Sequence, residues 1–387
     1  MSLVDEAAAA QKPESEHIGS MVLGPDGGSF DDVKMDHPIT DWSEVFKRFH
    51  LDPQKFAIAD DTVRMSTWQQ SRRLANGDRD VVDLYSYRAR FRRISDEGKA
   101  MAELLASQIT PVAPKPDSEF ASGDPLVICF ADLQTGKAGE RFGGTAELID
   151  HFHSVLGSLV DIAARDNPRI IAICDLGDIC EGWSNHTSIS QVSTNDITQS
   201  EQLRVARRLL TEAIISLAPY AARTIVAGVD SNHMQERVQN GQQNRHGDYG
   251  LENLRGIKDA FELLETDLEP EFVIPGPLDS GAFITVDGLR IALTHGHDAK
   301  RIQNMPQWLA NQAAMPGSPY AKASVLVHGH YHHLAIQESR HRLILGCPAL
   351  ESGSNWVLRG EGEESDPGVL TFRVHDGRLH GLRIVEP

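Results

Sequence analysis

The 387-residue sequence predicts an α/β fold in which a largely parallel sheet is covered by helices. Two patterns carry that expectation. Five short apolar runs follow Pro125, namely LVICFAD, RIIAICDLGD, RTIVAGVDSNH, LRIALTHGH and ASVLVHGHYHH, each long enough for a buried strand. Between the first three, Leu148, Phe152, Val155, Leu159 and Ile162, then Leu203, Leu210, Ile214 and Leu217, recur at helical spacing. The order is therefore β-α-β-α-β, which a parallel sheet requires. With 40% hydrophobic and 24% charged residues, the composition suits a chain of one large or two unequal domains with a sizeable core.

Taken in order, residues 1–36 are rich in Ala, Glu, Ser, Gly and Asp with few large apolar side chains, and are expected to be a disordered tail. Residues 37–118 read as a small accessory α+β unit. WSEVFKRFHL fits a short amphipathic helix, and VRMSTWQQS and VVDLYSYRARFRRI fit strands flanking the turn signal Asn76-Gly77. In the second of these strands Val81, Tyr85, Tyr87 and Phe91 share one face and Arg88, Arg90 and Arg92 the other. That arginine face is either a solvated surface or one laid against a nucleic-acid backbone. PVAPKPDSEF, rich in proline, is the expected linker to a main domain over residues 119–387.

Bulk properties narrow the function classes. A formal net charge of −18 opposes binding of polyanions by general attraction alone, so a nucleotide or nucleic-acid substrate requires bound cations or a local basic patch. Cys129, Cys174, Cys180 and Cys347 are widely separated and form no C-x-x-C pair, which suggests neither a disulfide framework nor a thiolate zinc site. The first residues lack the layout of a signal peptide, and no apolar run approaches the ~20 residues that span a bilayer. The expectation is a cytoplasmic protein with no membrane contact.

Every one of the five apolar runs ends in polar residues of one chemical kind: Asp132, Asp178, Asn232 with His233, His295, and His330 with His332. A single acid there reads equally well as a helix cap or turn former. Five in succession point further, because the carboxyl ends of strands in an open α/β sheet line the crevice where ligands bind. Asp, Asn and His together are a ligand set for divalent metals.

In order and spacing, Asp132-Leu133-Gln134, Gly177-Asp178-Ile179-Cys180-Glu181, Asn232-His233, His295-Gly296 and Gly329-His330-Tyr331-His332 resemble the five blocks of the calcineurin-like metallophosphoesterases. The likeness covers about Pro125 to Gly353. ADLQTGK, DLGD-x-x-EG, SNH and GS-x-W (Gly353, Ser354, Trp356) further resemble a subgroup from viruses of actinobacteria, in which case the location is the host cell cytoplasm. The resemblance implies a four-layer α/β/β/α sandwich with two divalent metal ions. Asp132, Asp178 and His332 would hold the first and Asn232, His295 and His330 the second, with Asp178 bridging. His233 would protonate the leaving oxygen.

Gln134 departs from the family, which usually has histidine two residues after the first aspartate. An amide carbonyl is a harder donor than imidazole, so Gln134 as a ligand favours manganese, with magnesium, iron(II) or zinc as alternatives, and a weaker first site. Ser231 and Met234 are milder departures. His186, after the Gly-Asp block, is either a compensating ligand or substrate contact, or a surface loop histidine. Lys137, Arg237, Arg245 and His246 are candidates for holding a phosphate or base, the last three in the polar loop ERVQNGQQNRHGDYG.

The resulting expectation is a metal-dependent phosphodiesterase acting on nucleic acid as a DNA nuclease, in the manner of the double-strand-break repair nucleases of that superfamily, which often work with an ATPase partner. The alternatives are a phosphodiesterase or pyrophosphatase for small nucleotides, such as cyclic nucleotides or dinucleoside polyphosphates, and a non-catalytic metal-binding scaffold. Nucleases of the metallo-β-lactamase type are disfavoured, because the H-x-H-x-D-H block they need is absent from the early strands.

Overall fold

In the computed structural model the described residues are 19–24, 27–59, 62–73, 79–93, 100, 103–107, 123–138, 144–182, 195–238, 242–264, 266–277, 279–351 and 366–387. The chain divides into two units, Met1–Asp96 and Glu97–Pro387.

The first unit is built on strands β1 (Ser20–Gly24), β2 (Gly27–Met35), β3 (Phe56–Ile58), β4 (Arg64–Arg73) and β5 (Arg79–Arg93), with helix α1 (Ser43–Arg48). All pairings are antiparallel, and the long β5 takes β2, β3 and β4 as neighbours. Phe30, Val33, Met35, Val45, Phe46, Phe56, Tyr87 and Phe91 form its core. The expected disordered tail over residues 1–36 is thereby corrected: residues 20–24 and 27–35 contribute two strands and three core side chains, while residues 1–18, 25 and 26 lie outside the described residues. The reason is a β-bulge. Phe30 pairs with Ala89 and Val33 with Tyr87, so one extra residue on β2 brings Phe30 and Val33 to the same face despite their odd spacing. On β5, Tyr87 and Phe91 are buried and Arg88, Arg90 and Arg92 exposed, whereas Val81, expected on the apolar face, is 59% exposed.

The boundary between units falls before residue 118 because Leu104 is buried in the core of the second unit and Arg208 donates to the Ser107 carbonyl. The linker PVAPKPDSEF lies outside the described residues.

The second unit is a mixed α/β structure. One sheet has the order β11-β8-β7-β6-β17-β18, from β6 (Leu126–Phe130), β7 (Ile170–Asp175), β8 (Arg223–Gly228), β11 (Glu271–Val273), β17 (Val369–His375) and β18 (Arg378–Val385). Its first four strands in sequence are parallel; β17 is antiparallel to both β6 and β18. A ribbon of β9 (Gln235–Val238) and β10 (Gln242–Asp248) stands apart. The other sheet, ordered β12-β13-β14-β16-β15, comprises β12 (Ala282–Val286), β13 (Leu289–Thr294), β14 (Val325–His328), β15 (Ala335–Ser339) and β16 (Arg342–Gly346). The five apolar runs of the sequence thus divide between two sheets.

Alternation along each strand explains why the runs are apolar on both faces. Leu126, Ile128 and Phe130 of β6 pack with residues of helices α2 (Thr145–Asp166), α3 (Gln199–Leu217) and α4 (Tyr249–Leu263), while Val127 and Cys129 pack with Ile291, Leu293, Val325 and Val327 of the other sheet. On that second sheet Ala292, Leu326 and Ile344 meet Met305 and Leu309 of helix α5 (Met305–Ala314). Thr198 and Glu201 form a capping box at the start of α3, and Asp248 accepts from Leu251 N to cap α4. No helix among the described residues is long and apolar enough to cross a membrane.

Candidate metal centre

The polar residues that end β6, β7, β8, β13 and β14 meet beyond the carboxyl ends of those strands. Two neighbouring loops set the frame: Asp132 N donates to Gly177 O at 3.1 Å, Gln134 N to Asp178 O at 2.9 Å and Thr135 N to Ile179 O at 3.1 Å. Asp132, Gln134, Asp178, His330 and His332 all have left-handed backbones, with φ of 50°, 43°, 48°, 73° and 61°. Such conformations cost non-glycine residues of order 1 kcal/mol each, and their concentration here marks a place where side-chain position outranks backbone comfort. Gly329 fits this crowding, because a Cβ there would lie 2.7 Å from Asp132 Oδ2.

One half of the site surrounds Asp178. His295 Nδ1 lies 2.8 Å from the Leu176 carbonyl, which can only accept, so this nitrogen carries the hydrogen. The other nitrogen, Nε2, is 2.9 Å from Asn232 Oδ1 and 3.0 Å from Asp178 Oδ2. Three acceptors therefore converge, and a cation must lie among them. Without metal that cation is a proton: burial lowers the pKa of His295, but Asp178 and Asp132 outweigh it and raise the value to about 9. Burial likewise pushes Asp178 up, and His295 and His233 overcome this to hold it well below the usual carboxylate range. His330, pushed down to about 3 by burial and by His295, offers a neutral ring. The ligand atoms of Asp178, His295 and His330 lie within 4.8 Å of one another, a donor set of two imidazoles and a carboxylate that fits a divalent transition metal.

The other half surrounds Asp132. Its Oδ2 accepts from His330 N at 2.9 Å, but the buried Oδ1 accepts no hydrogen bond and lies 3.4 Å from His332 Nε2. A buried carboxylate oxygen left in this state also fits a cation. Here, however, the protein brings its own charges. Lys137 Nζ is 2.7 Å from Glu351 Oε1 and 2.8 Å from Gln134 Oε1, and the same Glu351 oxygen is 3.1 Å from His332 Nδ1. Burial lowers His332, yet Asp132 and Glu351 raise it to about 10; burial raises Glu351, yet Lys137 and His332 lower it to about 2. The carbonyl oxygen of Gln134, expected to face the first metal, is turned to Lys137, and its nitrogen lies 3.4 Å from His332 Nε2. Lys137, expected against a phosphate, is instead tied down between Gln134 and Glu351.

His233 stands beside Asp178. Its backbone N donates to Asp178 Oδ1 at 2.9 Å, its Nδ1 is 2.7 Å from the Glu181 carbonyl, and its Nε2 is 3.9 Å from Asp178 Oδ2. The loop expected to carry Arg237, Arg245 and His246 is the β9–β10 ribbon; the side chains of these three, and His186 altogether, lie outside what is described. Sequence reasoning missed Glu351, although it stands two residues before the GS-x-W block, and missed Glu181 as the acceptor for His233, although it closes the Gly-Asp block.

No family model and no curated protein matches the chain. Among solved structures it is similar to zinc-complexed Vps29 from Entamoeba histolytica, at 12% identity over 67% of this chain and 96% of that one, with a TM-score of 0.32. It is also similar to an archaeal phosphodiesterase, at 12% identity over 67% and 99% of the two chains with a TM-score of 0.30. A third is a conserved protein from Streptococcus pneumoniae described as a predicted phosphoesterase, at 10% identity over 67% and 88% with a TM-score of 0.26. Likeness at this level establishes neither fold nor activity.

Proposed function

We propose that this chain is a metal-dependent phosphodiesterase. The observation that carries the reading is that Asn232 Oδ1 and Asp178 Oδ2 each lie within about one hydrogen-bond length of His295 Nε2, at strand ends whose sequence blocks resemble those of calcineurin-like metallophosphoesterases. Asp178, His295, His330 and Asn232 would hold one divalent ion, and Asp132 and His332 a second next to Asp178. Bound there, the ions supply a nucleophilic water at neutral pH and neutralise charge on the phosphoryl oxygens. The order helix, sheet, sheet, helix seen in the core supports the four-layer architecture of that family.

The chain's own residues do the rest. Glu181 O fixes one hydrogen of His233 on Nδ1, so in the imidazolium form the second hydrogen sits on Nε2 of a ring only partly buried, and passing it to the leaving oxygen would return the neutral Nδ1–H tautomer. Asp178 holds the backbone of His233 through Oδ1 while Oδ2 faces His295, so the proton donor and the metal ligands are kept in one register.

Nucleic acid is the substrate class favoured here. Arg64 pairs in register with Arg88, so Arg64, Arg88, Arg90 and Arg92 share one exposed sheet face with Trp68, although Arg88 is partly spent on Asp31. A basic face with an aromatic side chain supports single-strand binding despite the acidic total.

The test is hydrolysis of bis(p-nitrophenyl) phosphate and of end-labelled single- and double-stranded DNA with added Mn2+. Wild type should cleave both substrate types and Asp178→Asn neither. His233→Ala should lose about 10²-fold or more on DNA, whose alkoxide needs a proton, and far less on p-nitrophenyl ester, whose phenolate leaves without one. A wild type as inert as Asp178→Asn on every diester would leave a metal-binding scaffold in place of the enzyme.

A further inference from the structure

Resting on the metal-dependent reading above, we propose that the buried Lys137–Glu351 ion pair withholds Gln134 from metal coordination, and that Glu351 is the positioning residue for His332. Lysine has only donors, so the Gln134 atom 2.8 Å from Nζ must be the carbonyl oxygen. That contact fixes the amide plane. Turning Oε1 toward the Asp132 side would take an acceptor from Lys137 and bring the amide N–H₂ toward the ammonium, donor against donor. Gln134 therefore presents its nitrogen to the site, 3.4 Å from His332 Nε2, where a ligand would present oxygen.

Glu351 controls the imidazole. Its Oε1 accepts from Lys137 Nζ at 2.7 Å and from His332 Nδ1 at 3.1 Å, so the Nδ1 hydrogen is committed and Nε2 is aimed at Asp132 Oδ1, 3.4 Å away. Lys137 and Glu351 side chains are 17% and 7% exposed, which keeps water from competing for these contacts. A metal-ligating histidine whose second nitrogen donates to a carboxylate is held in one tautomer and orientation, and losing such a partner weakens metal binding about 10- to 100-fold.

The experiment is Mn2+ binding to the full chain, read from the electron paramagnetic resonance of free Mn2+, for wild type, Gln134→Ala and Glu351→Gln. Gln134→Ala should bind as many Mn2+ as wild type with Kd changed by less than about 10-fold; Glu351→Gln should weaken one Mn2+ by about 10- to 100-fold. Loss of a bound Mn2+ in Gln134→Ala, or an unchanged Glu351→Gln, overturns the proposal. A second readout needs no metal and no variant that must fold well. In metal-free wild type the Nδ1–H proton of His332 should resonate downfield and exchange slowly, and a fast-exchanging or absent Nδ1 proton overturns the positioning role. If wild type binds no Mn2+, the metal-dependent reading and the withholding of Gln134 fall together, while the proton resonance still decides the role of Glu351.

Discussion

The two halves of the site solve the same electrostatic problem in opposite ways. Around Asp178 the acceptors Asn232 Oδ1, Asp178 Oδ2 and His295 Nε2 meet with only a proton to reconcile them. Around Asp132 the protein supplies a lysine ammonium and a further carboxylate of its own. On the proposed reading the first half is a socket for an external cation. The second has part of its charge settled internally by the Lys137–Glu351 ion pair, which on the proposal above also keeps Gln134 from a metal.

The largest effect separating the halves should come from breaking the internal pair. Lys137→Met removes the ammonium from buried Glu351 and leaves it only His332, and should lower stability by about 3 kcal/mol in urea unfolding. The double variant with Glu351→Gln should recover part of that loss, because no buried charge is then left alone. Equal losses in single and double variants would show that the pair is not the source of the difference.

Metal should act on the other half. At a free Mn2+ concentration of about 100 Kd the protein should gain about 2.7 kcal/mol, read as a rise in Tm. His295→Ala should abolish that gain and His332→Ala only reduce it. The pH profile carries the same distinction. His295 has its pKa raised from the ordinary 6.5 to about 9, so without metal its contribution to stability is complete below the former and lost as pH rises through the latter. Mn2+, replacing the proton, should flatten that decline.

Gly329→Ala should cost about 2 kcal/mol by overpacking against Asp132 Oδ2, and should weaken binding at the Asp132 half while the Asp178 half keeps its affinity. The smallest effect concerns the backbone. With φ of 73° at position 330, His330→Gly should be about 1 kcal/mol more stable than His330→Ala in metal-free protein. Equal stabilities would mean that the left-handed turns store no strain.

Much of this arrangement is legible in the sequence because the strands advertise themselves. The central residues of β6, β7, β8, β13 and β14 are buried on both faces, so each strand carries an apolar stretch, and the Asp, Asn and His residues a few positions beyond it mark the site. Strands without that burial are silent: β15 alternates half-buried and exposed residues, and β18 mixes Arg378, His380 and Arg383 among its apolar positions. In β2 the bulge between Phe30 and Val33 breaks the two-residue period on which recognition depends. The Lys137–Glu351 contact is illegible for a different reason. It joins a loop after β6 to one after β16, and no local pattern records which distant charges a fold will bring together.

The most direct measurement is anomalous diffraction from crystals of the full chain soaked in Mn2+. The expected result is a peak within about 2.5 Å of Asp178 Oδ2, His295 Nε2 and Asn232 Oδ1. Density showing His295 still donating to Asp178, with manganese bound elsewhere or not at all, would contradict the claim that these converging acceptors are a cation socket.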